Sequence, residues 1–170
     1  MSDRGGIPLT AALIMLAVSL GVVDAMIPRP VPFMKLGLAN LPAVICSVRL
    51  GFRRTMALNT TRALAVALLT GSLATPTFLL SLAGAVASAL VMSAVSRGYP
   101  WFLSLTGVSI CGACASVWSQ LWVASLVLPG LPLQALVMPV TLWGVASGTV
   151  VGLAAGLVDG HLARHGVLSR

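Results

Sequence analysis

Residues Phe78–Ser96 read FLLSLAGAVASALVMSAVS, a run without a single charge that is closed by Arg97-Gly98-Tyr99-Pro100. A helix rises about 1.5 Å per residue, so about 20 apolar residues cross a bilayer. This run therefore reads as a transmembrane helix, and it sets the pattern for the rest of the chain. Working outward, similar runs lie near residues 9–27, 36–50, 55–74, 101–127 and 134–158. They are separated by Ile27-Pro28-Arg29-Pro30-Val31-Pro32, Gly51-Phe52-Arg53-Arg54, Ala74-Thr75-Pro76 and Pro129-Gly130-Leu131-Pro132. Proline and glycine in such positions end helices. The second run is short and contains Pro42, so it reads as a tilted, broken or re-entrant segment.

Composition agrees. Of 170 residues, 58% are hydrophobic and 8% charged, whereas soluble domains carry about 25% charged residues. Too few polar side chains exist to clothe a soluble core. The expectation is one all-α integral membrane domain over residues 1–170, with about six transmembrane helices. The first run is long enough to span and has no evident cleavage site behind it, so no signal peptide is expected.

The net charge of +7 suggests nucleic acid, but its distribution argues otherwise. Arg4, Arg49, Arg53, Arg54, Arg97, Arg164 and Arg170 flank apolar runs, where topology signals sit. With both termini inside, all seven are cytoplasmic, and only Arg29 and Lys35 lie in an outer loop. The positive-inside rule thus predicts an N-in, C-in protein. Its surroundings would be membrane lipid, with no nucleic-acid partner.

Small residues form two stripes. Gly144, Gly148, Gly152, Gly156 and Gly160 recur every four residues in the last span, and Ala17, Gly21 and Ala25 form a shorter stripe in the first. Such stripes allow close approach of another helix, either within the bundle or from a partner membrane protein. Cys46, Cys111 and Cys114 lie in apolar runs. Cys111 and Cys114 have CxxC spacing, but no second ligand pair exists to complete a zinc site, and small packing residues are the simpler reading.

Polar groups inside a membrane are functional candidates: Asp24, Asn40, Asn59, Arg62, Ser119 and Gln120. Counted from their helix ends, Asp24, Asn40 and Gln120 fall within about 11 Å of the outer face, beneath Arg29 and Lys35. A pocket open to the outside follows, unless Asp24 is simply interfacial and neutralised by Lys35. The same arithmetic sets Arg62 about 12 Å below Asp24. A direct contact is then not expected, and Arg62 shares a face with Asn59 or snorkels inward.

Asp24, Ile27-Pro28-Arg29-Pro30, Lys35-Leu36-Gly37-Leu38-Ala39-Asn40, Arg62, Phe78–Gly84 and Gly112-Ala113 with Gln120 together resemble the Gx transporter family. Many of its members carry the label heptaprenyl diphosphate synthase component I. That family is similar to the substrate-binding S components of energy-coupling factor (ECF) transporters. The resemblance spans nearly the whole chain, with Lys-Leu-Gly-Leu-Ala-Asn its most specific word. It implies an S-component-like six-helix bundle that captures a small molecule from outside. It also implies a transmembrane coupling protein driven by cytoplasmic ATPases, touched by small residues of the first helix, here Ala17, Gly21 and Ala25. The chain departs from the family pattern in having Asp24 in place of Glu, and Ser116-Val117 in place of a His-Asn pair.

The synthase label meets a chemical obstacle. Prenyl diphosphate elongation needs Mg²⁺ held by clustered carboxylates, and this chain has only Asp3, Asp24 and Asp159. His161 and His165 have i,i+4 spacing but sit in the C-terminal tail with only Asp159 nearby, which suits a solvated tail better than a metal site. No Walker motif is present, so ATP use would belong to a partner. The reading is therefore a non-enzymatic, cofactor-free capture subunit of an importer in a bacterial-type cytoplasmic membrane. Its binding residues would be Asp24, Arg29, Lys35, Asn40 and Gln120, and its docking residues Ala17, Gly21, Ala25, Gly144, Gly148, Gly152 and Gly156. The basic lid suits an anionic ligand, flavin-like or isoprenoid-like. The alternative is a non-catalytic membrane subunit associated with heptaprenyl diphosphate or quinone synthesis.

Overall fold

The computed structural model describes residues 6–27, 37–127, 130 and 133–164. Among these, six α-helices form and no strand. They are α1 (Gly6–Met26), α2 (Leu41–Arg49), α3 (Phe52–Leu69), α4 (Pro76–Val95), α5 (Leu105–Val127) and α6 (Leu133–Arg164). Each coincides with one expected run. The differences lie at the ends and have local causes. The run expected to reach residue 74 stops at Leu69, where Gly71 takes φ +67° and the amides of Gly71 and Ser72 close back onto Leu68 and Ala67. That is a Schellman termination, which favours glycine because its left-handed backbone is strained for other residues. The α4 helix starts with Pro76 in its first turn, where the missing N–H has no intrahelical role.

Four of the helices, α1, α4, α5 and α6, are long and apolar enough to cross a membrane. Of the six expected runs, the second already reads as short, and α2 and α3 are the two that fall outside this set. The α2 helix has nine residues, which reach only about 14 Å against a hydrocarbon core of about 30 Å. The α3 helix has 18 residues, but Arg53, Arg54, Asn59, Thr60, Thr61 and Arg62 make it too polar to class with the others.

The burial pattern is that of a membrane protein. Met15, Leu69, Trp122, Met138 and Leu157 are among the large apolar side chains that face outward. Inside lie Asp24, Thr55, Asn59, Ser88, Ser109, Gln120 and Asp159. Lipid accepts apolar side chains as readily as a protein core does, so polar groups collect where partners can be found. Asn59 shows this: its Nδ2 donates to the Ala85 carbonyl and to Ser88 Oγ, both at 3.0 Å, tying α3 to α4.

The short α2 is the hub. Pro42 through Ser47 are all buried, and the helix touches α1, α3, α4, α5 and α6. Ala43, Val44, Ile45 and Cys46 form a core with Leu13 and Ala17 of α1, Leu58 of α3, Met92 of α4, Val108 of α5 and Ala155 of α6. At its C-terminal end, Arg49 grips Asp159 of α6 with two hydrogen bonds, Nε to Oδ1 at 2.9 Å and Nη2 to Oδ2 at 2.7 Å. Arg49 was expected only as a topology signal. The structure makes it a fixed tether as well.

The glycine stripe of α6 divides in two. A Cβ on Gly148 would stand 2.8 Å from Ile110 Cα, and one on Gly152 would stand 2.5 Å from Thr106 Cα. Gly144 faces Val117 and Ala113. These three glycines thus seat α6 against α5. Gly156 and Gly160 meet nothing within 4 Å among the described residues. On α1, Ala17 is enclosed in the core and Gly21 packs on Val66 of α3, while Ala25 is exposed.

Candidate ligand-binding cavity

Because α2 fills only part of the bundle's axis, space remains beyond its N-terminus. A cavity of about 350 Å³ occupies it, at the end of the bundle where α3 turns into α4. Gly37, Ala39 and Asn40, immediately before α2, form its floor. The walls come from Gly21, Asp24 and Ala25 of α1, Arg62, Ala63 and Val66 of α3, Phe78 and Ser81 of α4, Ser116, Val117 and Gln120 of α5, and Ser147 of α6. The lining thus draws on five helices.

Three of the five expected binding residues meet here: Asp24, Asn40 and Gln120 all line the cavity. Arg29 and Lys35 lie outside the described residues, as does His165. Arg62, a candidate from the sequence left outside the binding set, also lines the cavity. Its Nη1 donates to Asn40 Oδ1 at 2.8 Å, so its guanidinium belongs to the cavity and neither snorkels inward nor joins Asn59, which is committed to α4. The depth arithmetic failed because it set the starts of all helices at one level. In fact the Arg62 stem packs beside Gly21, with Cγ 3.8 Å from where a Gly21 Cβ would be. Asp24 stands only about 4.5 Å further along α1, and both residues line the cavity. The sequence clue was available: an intramembrane arginine seeks a polar acceptor, and Asn40 was the expected neighbour of the pocket.

Gln120 is supported from two sides. Its Nε2 donates to Ser116 Oγ one turn earlier at 2.9 Å. Below it is Gly84 of α4, where a Cβ would stand 2.5 Å from Nε2 and 2.6 Å from Ser116 Oγ. Only a residue without a side chain lets the amide settle there. Gln120 is 4% exposed, and its Oε1 has no hydrogen-bond partner.

The arrangement can hold a small molecule by polar contacts at two places: an Arg62–Asn40–Asp24 group on one side and a Gln120–Ser116 pair on the other. Phe78 supplies an aromatic surface. Asp24 and Arg62 are the formally charged residues among the described lining and have opposite sign, so the site itself is close to neutral. Among the described residues, no group of three or more His, Cys, Asp or Glu could hold a metal ion.

No curated protein and no solved structure matches the chain. A family model described as heptaprenyl diphosphate synthase component I matches residues 13–158, a range that takes in α1 from Leu13 through most of α6, and every helix that lines the cavity. The chain belongs to the heptaprenyl diphosphate synthase component I family and is a multi-pass membrane protein of that family.

Proposed function

We propose that this protein is the substrate-binding membrane subunit of an importer, holding a small polar molecule in the cavity above α2. The observation that carries the reading is the cavity itself. Membrane interiors are packed closely, and a space of about 350 Å³ lined by Asp24, Arg62, Asn40 and Gln120 has no use in a purely structural bundle. Polar groups in a bilayer are costly and mark binding sites. Flavin-like and isoprenoid-like molecules are the two ligand classes in view. With the arginine-rich turns facing the cytoplasm of a bacterial-type cell, the cavity opens toward the outer side. A transmembrane coupling protein with cytoplasmic ATPases would be this protein's partner, and any ATP use would belong to that partner, since this sequence has no Walker motif. Gly156 and Gly160, at the cytoplasmic end of α6, are the part of that stripe left open among the described residues for such a partner.

A second reading is favoured by the family description: a non-catalytic membrane subunit beside a prenyl diphosphate synthase. Native mass spectrometry of the detergent-purified protein separates the two, run with Asp24→Ala, Lys35→Ala and Arg62→Met variants. A defined small molecule that is present in the parent and lost from Arg62→Met supports capture. An empty protein that co-purifies with a soluble prenyl synthase supports the second reading and rejects the first.

A further inference from the structure

The two polar groups of the cavity do not ask for the same chemistry. Arg62 offers N–H donors and is already partly satisfied by Asn40. The α4–α5 wall differs. One N–H of the Gln120 amide is used on Ser116 Oγ, while Oε1, an acceptor, has no partner among the described residues in a side chain 96% buried. Ser116 accepts that bond and donates none among the described hydrogen bonds, so its hydroxyl hydrogen is available. An acceptor on Gln120 and a hydroxyl on Ser116 therefore lie on the same wall, one helical turn apart, over the bare backbone of Gly84. An unpaired buried acceptor is costly, and an incoming donor removes that cost.

We infer that Gln120 and Ser116 form a specificity subsite that reads the edge of a lactam or imide. The ligand's N–H would donate to Gln120 Oε1 while Ser116 Oγ–H donates to the adjacent carbonyl. This rests on the capture reading and narrows it to a ring of the flavin type. A prenyl diphosphate carries acceptor oxygens and a hydrocarbon tail but no donor. It would leave Gln120 Oε1 unpaired in a dehydrated site, and sites built to pair a polar group reject analogues that lack it.

The test is equilibrium binding to the full chain in detergent, with three probes: lumiflavin, 3-methyllumiflavin and geranyl diphosphate. Lumiflavin has one N–H, flanked by two carbonyls, and the methyl group removes it. Lumiflavin should bind, and 3-methyllumiflavin should bind at least about tenfold more weakly. Gln120→Leu and Gly84→Ala should each abolish that discrimination, the second by pushing the amide out of place. Ser116→Ala should weaken lumiflavin less than Gln120→Leu does. The comparison of the two flavins on the parent protein stands even if a variant fails to fold. Equal binding of both flavins, or binding of geranyl diphosphate alone, overturns the subsite and leaves capture intact. If none of the three probes binds, the subsite is rejected. If the purified protein also carries no small molecule in native mass spectrometry, capture is rejected with it.

Discussion

Replacing Gly152 by alanine tests the seam that holds α6 to α5. The new Cβ would stand 2.5 Å from Thr106 Cα and 3.0 Å from Ser109 Cβ. The nearer atom is backbone and cannot rotate away. It lies roughly 0.9 Å inside ordinary contact, in an interior that deforms little. The helices must separate locally, and overpacking of this kind costs about 1–3 kcal/mol. Alanine's helix preference over glycine returns up to about 1 kcal/mol, so the clash should win. Gly156→Ala, one turn on, is the internal control, because nothing lies within 4 Å of its new Cβ. The prediction is a melting temperature lowered by several degrees for Gly152→Ala, and unchanged or slightly raised for Gly156→Ala. Thermal unfolding in detergent, followed by tryptophan emission, reads both. If Gly152→Ala melts with or above the parent, the close α5–α6 approach is wrong. If both variants fall equally, the division of the stripe into a packed and an open half is wrong.

Three further outcomes are expected. Asp159→Asn should destabilise the protein by about 1–2 kcal/mol, because a partly exposed pair gripping through two hydrogen bonds loses its charge assistance; an Arg49→Met, Asp159→Leu double variant should recover much of this in the same melt. Asn59→Ala should cost about 1–2 kcal/mol through two lost hydrogen bonds, and a cycle with Ser88→Ala should show coupling between the two sites; strict additivity would refute the α3–α4 tie. For topology, a cysteine at Ser72 should react with a membrane-impermeant maleimide in intact cells, and one at Gly98 only after permeabilisation; the reverse pattern would place the cavity on the cytoplasmic side.

The sequence by itself determined the helices. Runs such as 78–96 and 101–127 are apolar enough that only hydrogen-bonded helices can satisfy their backbones in lipid, and the breaks at residues 74–76 and 97–100 lie where the described chain turns. It also brought Asp24, Asn40 and Gln120 to one place, because all three lie near the same ends of their helices. Tertiary structure alone decided how far each helix slides past its neighbours. That register places the Arg62 stem beside Gly21 and turns an apparently remote arginine into part of the cavity. It also joins Arg49 to Asp159 across 110 residues, and it sets Gly84 beneath Gln120. The physical reason is that apolar periodicity marks which residues avoid water or lipid but leaves the axial position of each helix open. Axial position follows from which small residues let backbones touch and which polar groups can find a partner, and both depend on pairs of helices together.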